Sequence, residues 1–311
     1  MVTGHFLRKM GAVSAAAMAL APALATAQEE AGYTAGHPLP GQFHLQRSVT
    51  PIMDSITAFH DGILMWTISL IVVFVLALLL WIVWRYNAKR NPNPAAFTHN
   101  TLVEIVWTVL PIVILIIIAI PSFGVLSDQL TTPDGERKYL GPNIFSFGEV
   151  EVPAASLTIK ATGQQWYWDY EYVDQGKSFS SVILGDAADG YVQTVKPNQP
   201  RLLAVDNELV VPVDTTVRVQ VTADPTGVIH AFAVPSFGIK IDAVPGRLNE
   251  TWFNARETGI YYGQCSELCG KDHAFMPIAV RVVTKEEFAA FMAAFEGGDY
   301  TAANATLAAV Q

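Results

Sequence analysis

Both cysteines of the chain fall in one short stretch, Gly263-Gln264-Cys265-Ser266-Glu267-Leu268-Cys269-Gly270-Lys271-Asp272-His273-Ala274-Phe275-Met276. The spacing is Cys-x3-Cys-x3-His-x2-Met, which gathers two thiols, an imidazole and a thioether within 12 residues. A disulfide is the ordinary state of two cysteines in an exported protein. A bridge across three residues strains its geometry, and it gives His273 and Met276 no task. A further histidine, His230, sits on the apolar run Val228-Ile229-His230-Ala231-Phe232-Ala233-Val234. Alone it reads as a satisfied core residue. The nearby soft donors make it a candidate ligand.

Two thiolates, imidazole and thioether favour copper among first-row metals. Zinc is the rival, but Met is a poor zinc ligand and structural zinc sites prefer Cys and His. A mononuclear blue-copper site needs one Cys, two His and an axial Met, so this chain has one thiolate too many. The economical solution is two coppers that share both sulfurs, each with one terminal His. Such a pair would spread one electron over both metals and limit geometric change on redox. That suits electron transfer, and no open position or general base is evident for substrate turnover.

A second constellation is Trp166-Tyr167-Trp168-Asp169-Tyr170-Glu171-Tyr172. Strand alternation puts Trp166, Trp168, Tyr170 and Tyr172 on one face and Tyr167, Asp169 and Glu171 on the other. A core strand with ordinary surface acids accounts for most of these rings. A third candidate is Glu104, the one acid in a long apolar segment. It either snorkels to water at the segment's end or serves a proton path, the default functional reading of an intramembrane carboxylate.

The elements that must position the ligands read as β. Candidate strands are 156–162, 165–172, 201–206, 216–222, 230–234, 246–253, 259–264 and 276–283, rich in Val, Ile, Thr and aromatics between Gly, Pro and Asp. About eight short strands predict a sandwich or Greek-key barrel. Thr284 and Glu287 form a capping box ahead of Phe288, Phe291 and Phe295, which predicts a closing helix. The tail 299–311 is expected to fray.

Two apolar segments precede this domain. Ile63 to Trp84 is 22 residues without a charge, enough to cross a ~30 Å hydrocarbon layer. Trp66 lies near one end, with Trp81, Trp84 and Tyr86 near the other, at interfacial positions. The second runs from about Leu102 to Phe123, with Pro111 tolerable inside a membrane bundle. The connection carries Arg85, Lys89 and Arg90 and no acid, so the positive-inside rule makes it cytoplasmic. Arg8 and Lys9, the apolar stretch after them and Ala25-Thr26-Ala27 read as a signal peptide over 1–27. The expected order is then an external segment 28–60, a transmembrane hairpin 61–125 and an external domain 126–298.

Of 311 residues, 51% are hydrophobic and 15% charged, and the mean hydropathy is +0.31. The net charge of −9 argues against nucleic acid and for a cationic partner. From Leu126 onward there are 13 basic and 23 acidic residues, so the acidity belongs to the external domain.

Together these residues resemble subunit II of bacterial haem-copper cytochrome c oxidases. The resemblance spans the hairpin, the outer domain, Gly163-Gln164-Gln165-Trp166-Tyr167-Trp168, Asp242-Ala243-Val244-Pro245-Gly246-Arg247-Leu248-Asn249 and the whole cysteine motif. It implies a membrane-anchored, all-β architecture: a two-helix hairpin, then a cupredoxin-like Greek-key β-barrel carrying a binuclear Cu-A centre. Cys265 and Cys269 would bridge. His230 and Met276 would complete one copper, His273 and the Glu267 carbonyl the other. The Glu267 side chain would bind magnesium at the border with subunit I. Trp166 would receive electrons from cytochrome c, with Asp169, Glu171, Asp206 and Asp224 as docking candidates that steer a lysine-rich partner. Relatives often carry an acid three residues before the first copper histidine. This chain has Gly227 there, with Asp224 as the candidate substitute. The loop Asp174–Pro200 is longer than in many relatives. Glu104 would stand at the mouth of a proton path into subunit I.

The implied function is electron transfer from cytochrome c through Cu-A to haem in subunit I, with oxygen as acceptor, in a proton-pumping complex with subunits I and III. The implied location is the bacterial inner membrane, with the copper domain periplasmic. A quinol oxidase subunit lacks the copper ligands. A periplasmic reductase does not need the hairpin, and a copper-delivery protein has little use for the Trp166 stretch. No Cys-x-x-Cys-His is present for a fused cytochrome.

Overall fold

A computed structural model describes residues 36–307, apart from 94, 147, 187, 193 and 197. The expected signal peptide lies outside the described residues. Thr50 opens the first helix, α1 (Pro51–Ala58), its hydroxyl accepting from the Met53 N–H at 3.1 Å. A π-helical stretch, Phe59–Leu64, leads directly into α2 (Met65–Arg85). Asn100 caps α3 (Thr101–Leu130) through the Val103 N–H. Both long helices keep their apolar side chains exposed along most of their length, from Leu70 to Val83 and from Leu102 to Ile120. That is the pattern of helices covered by lipid or neighbouring subunits. Arg90 lies over the Trp84 ring at 4.5 Å, joining a cation to an interfacial aromatic at the loop end.

The second helix outruns the expected 102–123 by seven residues, because its last turns are held by the outer domain. Asp128 is buried there. It accepts from the Leu140 N–H at 2.7 Å and from Arg137 at 3.0 Å, while its carbonyl accepts from Trp252 Nε1 at 2.8 Å. Gln129 donates to the Gly238 carbonyl at 2.6 Å. Arg256 clamps Asp54 of α1 through both guanidinium ends at 2.7 Å.

A short pair, β1 (Lys138–Tyr139) and β2 (Val150–Glu151), follows the helix. The first main sheet contains β3 (Leu157–Gln164), β4 (Tyr167–Tyr172), β5 (Lys177–Ser181), β7 (Thr216–Ala223) and β10 (Asn249–Asn254), in the order β10-β7-β3-β4-β5. The second contains β6 (Leu209–Pro212), β8 (His230–Val234), β9 (Ile239–Ala243), β11 (Gly259–Cys265) and β12 (Pro277–Val283), in the order β6-β12-β11-β8-β9. β3 alternates buried and half-buried residues along its length, as a strand with one face on a core must. Trp168, Tyr170, Tyr172, Val217, Val219, Phe232 and Val280 fill the space between the sheets. Two apolar helices followed by this two-sheet domain give the cupredoxin-like architecture expected from the sequence.

Some elements differ from the expectation. Residues 201–206 are not a strand: a turn forms on the Pro200 carbonyl, and only Val205 bridges, to Ile183. The strand of that region is β6, fully buried and parallel to β12, so it has no alternation to read. β5 and β9 were hidden by their polar residues, Ser178 and Ser180 in one, Lys240 and Asp242 in the other. The closing helix α4 (Lys285–Gly297) carries the expected capping box and buries Phe291, Met292 and Phe295. Part of the tail is ordered where fraying was expected. Asp299 caps α5 (Tyr300–Ala305), and the Tyr300 ring stacks on Phe179 with centroids 3.8 Å apart.

Candidate metal centre

Three strand ends of the second sheet meet at one rim. β8 begins with His230 and β11 ends with Cys265, and the two pair through Cys265 opposite Phe232. A loop and a short helical turn, His273–Phe275, return the chain to Met276 and β12. The Cys265 N–H donates to the Met276 carbonyl at 3.4 Å, and the Ser266 N–H to Ala231 at 3.1 Å. Within the loop, the His273 N–H donates to Gly270 at 3.3 Å and the Phe275 N–H to Asp272 at 2.9 Å. Ligands local in sequence are thus fixed to the sheet at both ends.

The donors converge. The two sulfurs are 3.7 Å apart, far beyond a disulfide bond, and both thiols are free. His230 Nδ1 is 3.8 Å from Cys265 Sγ, and His273 Nδ1 is 3.5 Å from Cys269 Sγ. Met276 Sδ lies 3.5 Å from Cys269 Sγ, and the Glu267 carbonyl 3.3 Å from Cys265 Sγ. His230, Cys265, Cys269 and Met276 are buried. Burial, and then the neighbouring His273, holds the His230 pKa below its usual value, so the ring stays neutral as a ligand must. Burial beside Cys265 pushes the Cys269 thiol up to about 12. A cation among these atoms reverses that preference, because a coordinated thiol deprotonates. Two sulfurs flanked by one imidazole each, with a thioether and a carbonyl in reach, fit the soft donor set that copper selects.

Two glycines make the room. A Cβ on Gly163 of β3 would lie 2.8–3.1 Å from three atoms of His230. Gly270 adopts φ +123°, and a Cβ there would meet the Trp166 ring at 2.8 Å. Sequence reasoning missed both, because neither carries a reactive group and both contacts are long-range.

Trp166 lies before β4, in the turn from β3, and not on the strand's buried face with Trp168, Tyr170 and Tyr172. Alternation misplaced it because β4 starts at Tyr167, two residues after the expected start, which leaves Trp166 in the turn. Its Nε1 donates to the Cys269 carbonyl at 3.0 Å, and Lys271 Nζ sits 5.3 Å from its ring. Trp168 instead packs edge-on to His230, with centroids 6.1 Å apart.

Among the candidate docking acids, Asp169 and Asp224 both act on the Tyr167 phenol, whose pKa is raised by burial and then by these two carboxylates. They share its neighbourhood. Asp169 is braced by Gln164 at 2.9 Å and Ser180 at 2.6 Å. Glu171 follows on the same strand face and faces Lys160 at 3.8 Å. Asp206 accepts instead from the Val182 and Asn207 N–H groups, each at 2.7 Å. Glu267 turns its carbonyl to the sulfur and exposes its side chain. Glu104 is in the first turn of α3, about 40 Å of helix from the outer domain. There Oε1 accepts from the Asn100 N–H at 3.3 Å.

Comparison with known proteins agrees with this arrangement. Residues 157–283 match a family model described as cytochrome C oxidase subunit II, periplasmic domain, and residues 38–125 the corresponding transmembrane domain. A probable cytochrome c oxidase subunit 2 of Rickettsia bellii is 48% identical over 255 residues, 82% of this chain and 84% of that protein. Cytochrome c oxidase subunit 2 of Cereibacter sphaeroides is 42% identical over 308 residues, 95% of this chain and 94% of that protein. The crystal structure of the periplasmic domain of subunit II of cytochrome oxidase of Bradyrhizobium japonicum is 60% identical. It covers 47% of this chain and 97% of that one, with a TM-score of 0.41.

Proposed function

The chain belongs to the cytochrome c oxidase subunit II family, whose members are subunits of an oxidoreductase complex, and we propose that it receives electrons from cytochrome c at a binuclear copper centre and passes them to haem in subunit I. The observation that carries this reading is the pair of buried free thiols 3.7 Å apart, each with its own histidine. Cys265 and Cys269, with His230, Met276, His273 and the Glu267 carbonyl around them, would hold the two coppers. Copper held this way supplies reversible one-electron storage.

The protein's own residues do the rest. Strand ends fix His230, Cys265 and Met276, and these three and Cys269 are buried from solvent. Trp166 offers a ring in contact with the outside and a hydrogen bond straight to the backbone of Cys269, a short link from partner to centre. Asp169, Asp224 and Glu171 draw a basic partner toward that ring. The exposed Glu267 side chain is the candidate ligand for magnesium at the border with subunit I. Glu104 is the candidate proton acceptor at the cytoplasmic end of α3. The chain is anchored by two helices, with the copper domain on the periplasmic side of the bacterial inner membrane beside subunits I and III.

Copper titration of the full chain in detergent tests the reading. The expected result is two coppers per chain and a mixed-valence spectrum with one electron shared over both nuclei. A single-copper blue spectrum, or one equivalent of zinc held in preference to copper, overturns it.

A further inference from the structure

Between β5 and β6 runs a long loop, 182–208, that reaches the metal loop. Tyr191 of this loop stacks on Phe275, ring centroids 4.3 Å apart and planes within 13°. Phe275 stands between His273 and Met276, one candidate ligand on either side. Tyr191 also adopts φ +58°, a left-handed conformation that L side chains disfavour. Three contacts enforce it. The Tyr191 N–H donates to the Asp186 carbonyl at 2.7 Å, Arg201 Nε donates to the Gly190 carbonyl at 2.9 Å, and Gly185 packs against the Tyr191 backbone so closely that a Cβ would lie 2.8 Å away. The loop's far end is pinned to the sheet. Lys196 and Gln199 reach the buried carboxylate of Glu208, which Arg281 of β12 also approaches at 3.4 Å. Backbone strain held this firmly marks a side chain whose placement matters.

We propose that Tyr191 is a positioning residue for the metal centre: its ring clamps Phe275 and thereby holds the 273–275 turn, His273 and Met276 against the two sulfurs. This rests on the copper reading above. The turn itself is tied by few bonds, the two N–H groups of His273 and Phe275 to Gly270 and Asp272. Phe275 is half-buried, so without Tyr191 its exposed face is left to solvent and the turn loses its cover. The ring's hydroxyl takes no part in the stack, so phenylalanine should serve as well.

The test uses the full-length, copper-loaded protein in detergent and three variants: Tyr191→Ala, Tyr191→Phe and Arg201→Gln. Copper release to excess EDTA, the copper absorption spectrum and the midpoint potential are measured. Loss of one aromatic pair should speed release about three- to tenfold in Tyr191→Ala, with a shifted spectrum and potential. Tyr191→Phe should match the parent. Arg201→Gln frees the loop without touching the ring and should move all three readouts in the same direction. It decides the matter if Tyr191→Ala does not fold. Parental release, spectrum and potential in both Tyr191→Ala and Arg201→Gln overturn the proposal. So does a Tyr191→Phe variant as impaired as Tyr191→Ala. A parent protein that does not take up two coppers overturns the copper reading instead, before any variant is compared.

Discussion

Replacing Glu208 by Gln tests how much stability the buried charge cluster beneath the long loop contributes. Glu208 is fully buried, and one of its oxygens, Oε1, meets Lys196 at 2.5 Å, Gln199 at 2.8 Å and Arg281 at 3.4 Å. At an effective dielectric of ~20, each charge pair at about 3 Å is worth about 5 kcal/mol before desolvation is subtracted. Removing one partner of such a buried cluster costs about 3–5 kcal/mol, because the remaining charges stay buried. Two features push the expected loss to the lower end, about 3 kcal/mol. The glutamine oxygen still accepts, and Lys196 keeps the Val205 and Asp206 carbonyls at 2.8 and 3.0 Å. For a domain of this size that is a drop of about 6–12 °C in Tm at pH 7, read by near-UV circular dichroism in detergent. The pH dependence supplies a second check. Burial raises the Glu208 pKa, but Arg281, Lys196 and the hydrogen bonds outweigh it, and the carboxyl ends below its usual range. A depressed carboxylate pKa gives stability that is full above the unfolded-state value of ~4.3 and lost as pH falls through the folded value. Protonated Glu208 then resembles Gln, so parent and variant should converge in acid. A gap below about 2 °C at pH 7, where ~3 kcal/mol predicts several times that, refutes the reasoning. A gap that widens as pH falls refutes it too.

Gly163→Ala places a methyl 2.8–3.0 Å from the His230 ring, an overpacking of about 1–3 kcal/mol. It should weaken copper binding and alter the copper spectrum, which a titration of the variant would show. Trp166→Gln removes the ring but leaves the sulfurs untouched, so reduction by cytochrome c should slow while copper stoichiometry and spectrum hold. A lost spectrum would make Trp166 structural. Asp169→Asn with Asp224→Asn should lower kcat/KM for cytochrome c about two- to tenfold at low salt, with the difference vanishing as ionic strength rises.

Much of the centre was legible because its chemistry is local. Cys265, Cys269, His273 and Met276 lie within 12 residues of one another in sequence, and soft donors at that spacing favour copper. His230 was recognisable only as a misfit, an imidazole on an apolar strand. What could not be read were the contacts made by register and by distant loops. Gly163 matters because β3 lies under β8, which no local pattern reports. Alternation places Trp166 on a strand face, and alternation fails once a turn intervenes. β6 escaped because a strand buried on all sides reads as a plain apolar run. Fraying of the tail is the sequence expectation, and Tyr300 overturns it for α5. The partner of Tyr300, Phe179, is more than a hundred positions away.

The same distinction explains why the centre sits where it does. A loop of this kind, left to itself, would hold two sulfurs loosely, and a site is more precise when its supports are strands and helices than when they are loops. Here Cys265 is the last residue of β11, Met276 immediately precedes β12, and His230 opens β8. Those strands belong to the sheet that β6 and the long loop brace from one side. On the other side the domain is bound to its helices. Asp128 at the end of α3 is held by Leu140, Arg137 and Trp252, and Asp54 of α1 by Arg256. A buried carboxylate is costly unless fully paired, so its use at this junction favours one fixed angle between helix and domain over a hinge. The electron transfer to a haem in another subunit proposed above would need that constancy. The metal loop is bonded to the sheet through Cys265 and Ser266, and the sheets to α3 through Thr251 and Trp252, so a continuous chain of contacts links the centre to the helix that anchors the domain.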